Sequence, residues 1–263
     1  MCVVLLVVMP ATVPLSRISV AGHRFVDESG RVRIFHGFSD IGPGKGTGPF
    51  TGANYLPGTL LSNLSLTSTL INEYGFNCFR IPAMWAAVQP APNTTDSRYL
   101  AALLNATRLL ADRGAYSILD MHQDGLSSLF GAYDGAPAWL VNRTVPRHAF
   151  PWPFKPGHVT DASMTEAAGQ AYQEIYDDTH GGLRAWAAAW AAFAEAFRAE
   201  PSVLAYELLN EPFPGDVYAD PLRFLPGVAG SQSLQGAYDA VAAAIRIVDD
   251  HTIVMHIQRE LNS

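Results

Sequence analysis

The strongest chemical signal in the chain is the run Tyr206-Glu207-Leu208-Leu209-Asn210-Glu211-Pro212. An apolar strand delivers an amide and a carboxyl to its C-terminal end, and Pro212, which has no N–H to give a neighbour, keeps the strand from continuing. A carboxyl seated partly out of water favours its neutral form, so Glu211 could hold a proton for a departing oxygen. Asn210 can both donate and accept hydrogen bonds, which suits it to fix a hydroxyl beside the reacting atom. On residue chemistry alone, Glu211 could equally be a strand-end carboxylate paired with an arginine.

Two other candidate strand ends carry polar groups. Arg80, in Phe76-Asn77-Cys78-Phe79-Arg80-Ile81-Pro82, puts a permanent charge into an apolar strand and must have an anionic partner, either a catalytic carboxylate or a structural one. Leu119-Asp120-Met121-His122-Gln123-Asp124 places Asp120, His122 and Asp124 at alternating positions, able to line one site. The same spacing could hold a metal, but no second His-rich strand end supplies further ligands, so no metal is expected.

The elements that must position these groups alternate between strand and helix. Arg17 to Phe25 and Arg31 to Phe38, separated by Asp27-Glu28-Ser29-Gly30, read as a hairpin leading into a strand. Thr59 to Tyr74 is helix-compatible and ends at Gly75, and Phe76 to Ile81 is a compact strand. Tyr99 to Arg113 is an amphipathic helix closed by Gly114, Ala115 to Met121 a strand, and His122 to about His158 a long aromatic and Pro-rich excursion. Leu183 to Arg198 sets Trp186, Trp190, Phe193 and Phe197 at helical spacing, a packing stripe rather than a ligand box. Val203 to Leu209, a helix from about Leu234 to Val248 and a strand from Thr252 to Ile257 complete the pattern. Such alternation predicts a parallel sheet with helices outside, doubly wound or closed into a barrel; periodicity does not choose between them.

With 263 residues, 49% of them hydrophobic and 16% charged, the chain can bury a large core as one domain. A net charge of −7 without any Lys/Arg cluster excludes a nucleic-acid partner. Cys2 to Met9 is unbroken apolar and too short to span a bilayer, so residues 1–16 read as a secretory signal, although no basic residue precedes them. Asn63, Asn93, Asn105 and Asn142 each open an Asn-x-Ser/Thr triplet, and Asn105 shares a helix face with Arg108 and Asp112. Cys2 and Cys78 cannot make a disulfide framework, and Cys78 reads as a small core residue.

Taken together, several stretches resemble glycoside hydrolase family 5, and most closely its endoglycoceramidase-like members. The resemblance covers essentially everything after the leader and rests on Arg31 to Gly37, the Phe76-Asn77…Arg80-Ile81-Pro82 strand with Trp85, Asp120-Met121-His122-Gln123-Asp124, Tyr133-Asp134-Gly135-Ala136-Pro137-Ala138-Trp139, and Asn210-Glu211-Pro212. It implies a (β/α)8 barrel and a retaining β-glycosidase with Glu211 as acid/base and Asn210 on the sugar 2-hydroxyl. Arg80 and His122 would support the nucleophile and the reacting sugar. Substrate contacts would come from Asp120, Gln123, Asp124, Trp139 and Lys45, with no metal or cofactor. The substrate would be a glycosphingolipid or oligosaccharide, met by a secreted monomer that contacts membrane lipid peripherally.

The family's nucleophile is a Glu at the end of the seventh strand, whereas Asn-Glu ends the fourth. About fifty residues follow Glu211, and three more βα units at roughly thirty residues each would be needed to reach that strand. Residues 17–263 are therefore expected to be the N-terminal part of a barrel, truncated after about the fifth strand and without the nucleophile. Glu260 follows the fifth strand candidate and is not assigned that role. Two carboxyls roughly 5 Å apart are needed for double displacement, so the chain itself is expected to be weak or inactive. The rival expectations are a carbohydrate-binding remnant or inactive fragment, a β-glucan hydrolase of the same family, and a metal-dependent barrel hydrolase. The aromatic stretch Arg147 to His158 could shelter acyl chains or simply cap the barrel.

Overall fold

The computed structural model describes residues 14–41, 58–131 and 135–256. Five parallel strands form one sheet in chain order: β4 (Gly37–Ser39), β5 (Cys78–Pro82), β6 (Tyr116–Asp120), β7 (Val203–Glu207) and β8 (Ile253–Met255). A separate antiparallel sheet precedes them, made of β1 (Ile18–Ala21), β2 (Arg24–Asp27) and β3 (Val32–Arg33). The run expected as one strand from Arg17 to Phe25 is split by a tight turn at Gly22, whose φ of 62° suits glycine, so the expected single hairpin becomes a three-stranded ribbon. Gly37 opens β4 where a Cβ would lie 1.7 Å from the Cys78 carbonyl oxygen, so only glycine lets the first two parallel strands pair.

The helices are α1 (Gly58–Ser62), α2 (Leu64–Asn72), α3 (Trp85–Val88), α4 (Ser97–Ala111), α5 (Ala138–Val141), α6 (Glu166–Tyr176), α7 (Gly182–Phe197) and α8 (Gln235–Val248). The single helix expected from Thr59 to Tyr74 is broken because the Asn63 side chain accepts from the Leu66 N–H and starts a new helix. Asp96 caps α4 in the same way, and Gly114 closes that helix end with φ 86°. Within the expected excursion the structure forms α5, and beyond it α6, which no sequence pattern announced.

Alternation along the strands separates two cores. Phe79, Ile81, Leu119 and Tyr206 face the helices and join Trp186, Trp190, Phe193 and Phe197 of α7, all fully buried. The other face gathers Cys78, Tyr116, Leu204 and Ala205 with Ile18 of the N-terminal ribbon. Leu204 and Ala205 both lie there because the β6–β7 register slips between Ser117 and Ile118. Cys78 is a buried core residue as expected, and burial pushes its thiol up to about 12. Asn63, Asn93, Asn105 and Asn142 are all exposed. No described helix is long and apolar enough to cross a membrane.

Candidate active site

Parallel pairing puts Pro82, Asp120 and Glu207 at one level across three strands, with Met255 beside Glu207 on the fourth. Pairing continues past the strands: the Met121 N–H donates to the Glu207 carbonyl and the Asn210 N–H to the Met121 carbonyl. These bonds gather the polar ends of β5, β6 and β7 at the C-terminal edge, where barrel enzymes carry their chemistry.

Arg80 is the hub. Its Nε donates to Glu207 Oε2 at 2.6 Å, and its Nη2 donates to Glu207 Oε1 at 2.8 Å and to Asn210 Oδ1 at 2.9 Å. Asp120 Oδ1 lies 2.9 Å from Nη2 as an ion pair, placed off the line of an aligned hydrogen bond. Nη1 donates to Ser39 Oγ at 3.3 Å. The expected anionic partner of Arg80 is thus Glu207, aided by Asp120. Burial alone would lower the Arg80 pKa, but the Glu207 bond and the charges of Asp120, Glu207 and Glu211 raise it, so the guanidinium is a permanent cation. An open pocket of about 250 Å³ borders Ser39, Cys78, Arg80 and Ile118.

Asp120 is fully buried and joins the arginine to the imidazole: its Oδ2 lies 2.6 Å from His122 Nδ1. Burial raises its pKa, against the opposing pull of His122 and Arg80. This contact sets the Nδ1 proton toward Asp120 and turns Nε2 toward Asp124, whose Oδ2 is 3.6 Å away. No group of three or more His, Cys, Asp or Glu among the described residues is placed to hold a metal ion.

The Asn210-Glu211 segment is clamped from behind. Trp186 and Trp190 both donate from Nε1 to the Leu208 carbonyl, at 3.2 and 3.0 Å. Gln123 Nε2 donates to the Asn210 and Glu211 carbonyls at 2.7 and 2.9 Å, and the Asn210 Nδ2 returns a bond to the Gln123 carbonyl at 2.9 Å. The Gln123 Oε1 accepts from the Leu126 N–H and from the Tyr172 hydroxyl. These bonds hold Glu211 at φ 38°, a left-handed conformation that costs a side-chain-bearing residue about 1–3 kcal/mol.

Arg80, Asp120, His122, Asp124, Asn210 and Glu211 are therefore brought to one strand edge. Three expectations need correction. Gln123 was expected to touch substrate, yet it is 2% exposed and its whole amide is spent on the backbone around Asn210, Glu211 and Leu126 and on Tyr172. Trp139 was expected to do the same, but it donates from Nε1 to the Gln89 carbonyl and borders a different pocket of about 540 Å³ with Asn93, Arg143, His180 and Arg184. Glu211 was expected partly out of water and is exposed, because the chain leaves the sheet at its left-handed backbone and Pro212. Lys45 lies outside the described residues. Glu207 and Tyr172 went unassigned in the sequence, although Glu207 shares strand parity with Glu211 and could have been found as the acid facing Arg80.

The chain and its fold have counterparts among known proteins. Residues 47–260 match the model of Cellulase (glycosyl hydrolase family 5). The chain is 34% identical over 249 residues to an endoglycoceramidase of Cyanea nozakii, covering 88% of this chain and 48% of that protein. The structure superimposes on endo-glycoceramidase II from Rhodococcus sp. in a cellobiose-like imidazole complex, with a TM-score of 0.66, 28% identity, 88% of this chain and 50% of the other. The ganglioside GM3 complex of that enzyme matches with a TM-score of 0.63 and 27% identity, over 88% of this chain and 50% of the other. The chain spans about half the length of the curated relatives it matches. Its five parallel strands are part of the (β/α)8 barrel architecture, and the chain belongs to glycosyl hydrolase family 5, in the endoglycoceramidase-like branch.

Proposed function

We propose that the protein of which these strands are part is a retaining β-glycosidase that releases the glycan of glycosphingolipids from ceramide. The observation that supports this most is the Arg80-centred network, which presents Asn210 and Glu211 beside Asp120 and His122 at the end of β7. Glu211 would protonate the departing ceramide oxygen while a second carboxylate attacks the anomeric carbon to form a glycosyl ester. Water, deprotonated by Glu211, would then release the sugar. Asp120 and Glu207 are both engaged by Arg80, and the attacking carboxylate is proposed to be a further Glu at a later strand end, as the family resemblance implies. The lipid part of the reading is supported by the similarity to endoglycoceramidases, one of them solved with ganglioside GM3, and by an open pocket of about 330 Å³ lined by Phe130, Phe150, Pro151, Lys155, Pro156 and His158. Passage through the secretory route is proposed with it, since the four Asn-x-Ser/Thr asparagines stand exposed to accept glycans.

Hydrolysis of detergent-solubilised glucosylceramide by the full protein tests the reading. Glu211→Gln should lower kcat about 10²- to 10⁴-fold, with less loss on aryl glycosides whose leaving group needs no proton. Cleavage of β-glucans with glycosylceramides left intact would overturn the lipid assignment. Full activity of Glu211→Gln on glucosylceramide would overturn the acid/base assignment.

A further inference from the structure

We infer that helix α6 is what places the acid/base: Tyr172 and Tyr176 are positioning residues that fix the backbone carrying Glu211, Tyr172 through Gln123 and Tyr176 directly. The inference rests on the glycosidase reading and deepens it. Among the described residues no side chain is hydrogen-bonded to the Glu211 carboxyl, so its place depends on its own backbone, held at φ 38°. A proton donor must come within about 2.6–3.2 Å of the oxygen it serves, and a misplacement of about 1 Å can cost about 10²-fold in rate.

Gly169, Tyr172 and Tyr176 stand at i, i+3 and i+7 of α6 and share one face, which meets the loop after β7. The Tyr176 hydroxyl donates to the Phe213 carbonyl at 2.9 Å, and the rings of Tyr172 and Phe213 meet at 5.8 Å. A Cβ at Gly169 would lie 3.0 Å from the Gly215 carbonyl oxygen, so glycine lets the loop lie against the helix. On the other side of Pro212, the Tyr172 hydroxyl donates to Gln123 Oε1, and Gln123 Nε2 donates to the Asn210 and Glu211 carbonyls. One helix thus governs carbonyls before and after the proline. At the start of α6, Arg147 braces the loops after β6 and β7 together, its Nε on Glu166 at 2.8 Å and its Nη2 on Asp216 at 3.0 Å.

Burial separates the rings from their hydroxyls. Tyr172 is fully buried and Tyr176 is 5% exposed. Phenylalanine would fill the same space with no polar atom to satisfy, whereas a phenol out of water must find a partner and is held to one direction by it. Tyr176 spends that bond on the chain just past Glu211, and Tyr172 spends it on the amide that grips the chain at Glu211. Burial also raises the Tyr176 pKa well above its ordinary value, so the phenol remains a donor. Without the two hydroxyls Gln123 and Phe213 lose their lock and the Glu211 carboxyl can drift, although no group that touches substrate has been removed.

The test compares two substrates of the full protein, detergent-solubilised glucosylceramide and 2,4-dinitrophenyl β-glucoside, whose leaving group departs without a proton. When Tyr172→Phe and Tyr176→Phe are combined, kcat/KM on glucosylceramide should fall about 10- to 100-fold while kcat/KM on the aryl glucoside stays within about twofold. Azide attacks the glycosyl-enzyme without needing a base, so it should raise aryl glucoside turnover in the double variant and leave the parent's unchanged. The inference is overturned by equal losses on both substrates, which a merely structural role would give, by a loss confined to KM, or by parental kinetics in the double variant. If the double variant does not fold, Tyr172→Phe alone carries the same comparison, with an expected loss of about 3- to 10-fold on glucosylceramide only. The acid/base assignment fails separately: full activity of Glu211→Gln sinks it, whereas a slow Glu211→Gln beside fast tyrosine variants sinks only the role of α6.

Discussion

The two faces of the five-stranded sheet come from the same strands and treat water in opposite ways. Toward the helices, Phe79, Ile81, Leu119 and Tyr206 meet Trp190, Phe193 and Phe197, all without solvent exposure. Toward the other side, Cys78, Tyr116 and Ala205 are buried while Ile118, Ile253 and Met255 are only half so, and here lie Arg80, Asp120 and Glu207. One residue of displacement along a strand therefore moves a side chain from a dry packing layer to a charged, accessible one. Stability and chemistry are divided by parity, and a substitution's effect should depend on which face it strikes.

The largest effect is expected on the closed face. Trp190→Ala removes a buried indole and its bond to the Leu208 carbonyl, and should cost about 3–5 kcal/mol in urea denaturation. Met255→Ala on the half-open face should cost about 1–2 kcal/mol, because part of that side chain already meets water. Equal costs would mean that the second face is as closed as the first in solution, and the comparison would break.

Next comes the charged layer itself. Glu207→Ala strips Arg80 of its two-point partner and leaves it with Asp120, Asn210 and Ser39. Removing one member of a buried pair costs about 3–5 kcal/mol, and Arg80 retains partners and some exposure, so about 2–4 kcal/mol is expected here. Glu207→Gln, which keeps hydrogen-bonding capacity, should recover part of it. An unchanged denaturation midpoint for Glu207→Ala would show that the hub does not hold the sheet together.

A smaller effect belongs to the clamp behind Glu211. Gln123→Glu would set a carboxylate against the Asn210 and Glu211 carbonyl oxygens in place of a donor, with an expected cost of about 1–3 kcal/mol. Tyr172→Phe removes the hydroxyl that donates to Gln123 Oε1 and meets Ser163 Oγ at 3.4 Å, and leaves the bonds to the Asn210 and Glu211 carbonyls in place, so it should cost about 0.5–1.5 kcal/mol. If the two variants matched, the bonds to the carbonyls would not be what fixes the left-handed Glu211.

Much of this division was legible in the sequence. Four of the five parallel strands, β5 to β8, were expected because each is a short apolar run fenced by Gly, Pro or polar residues, while β4 was legible only as the strand into which the hairpin leads; the α7 stripe follows directly from helical spacing. Helix α6 was not, although it buries Ala167, Ala168, Ala171, Tyr172, Ile175 and Tyr176 with a period as clear as that of α4. The site residues were named by type, but their partners depend on register: Glu207 is the acid opposite Arg80 only once β5, β6 and β7 are aligned. Gln123 was misread because a carboxamide binds a backbone as readily as a sugar, and only burial separates the two uses.

The smallest expected effect extends the comparison to two carboxylates in different settings. In the sheet, burial raises Asp120, so its contribution is fully present below the ordinary carboxylate value and is lost as pH rises through the higher folded one. In the loop brace, burial also works to raise Glu166, but the His148 bonds and the Arg147 and His148 charges outweigh it and leave the pKa lowered. Its contribution is present above the ordinary value and lost as pH falls through the lower folded one. Glu166→Gln should therefore lower the thermal midpoint at neutral pH and make progressively less difference as acid protonates the parent's Glu166. The change should be modest, since Arg147 and His148 are themselves well exposed and screened. The two melting curves should converge only below the ordinary carboxylate range, as pH falls through the lowered folded value. A gap that persists unchanged into acid would show that Glu166 acts by packing, and that the brace between the β6 and β7 loops is not electrostatic.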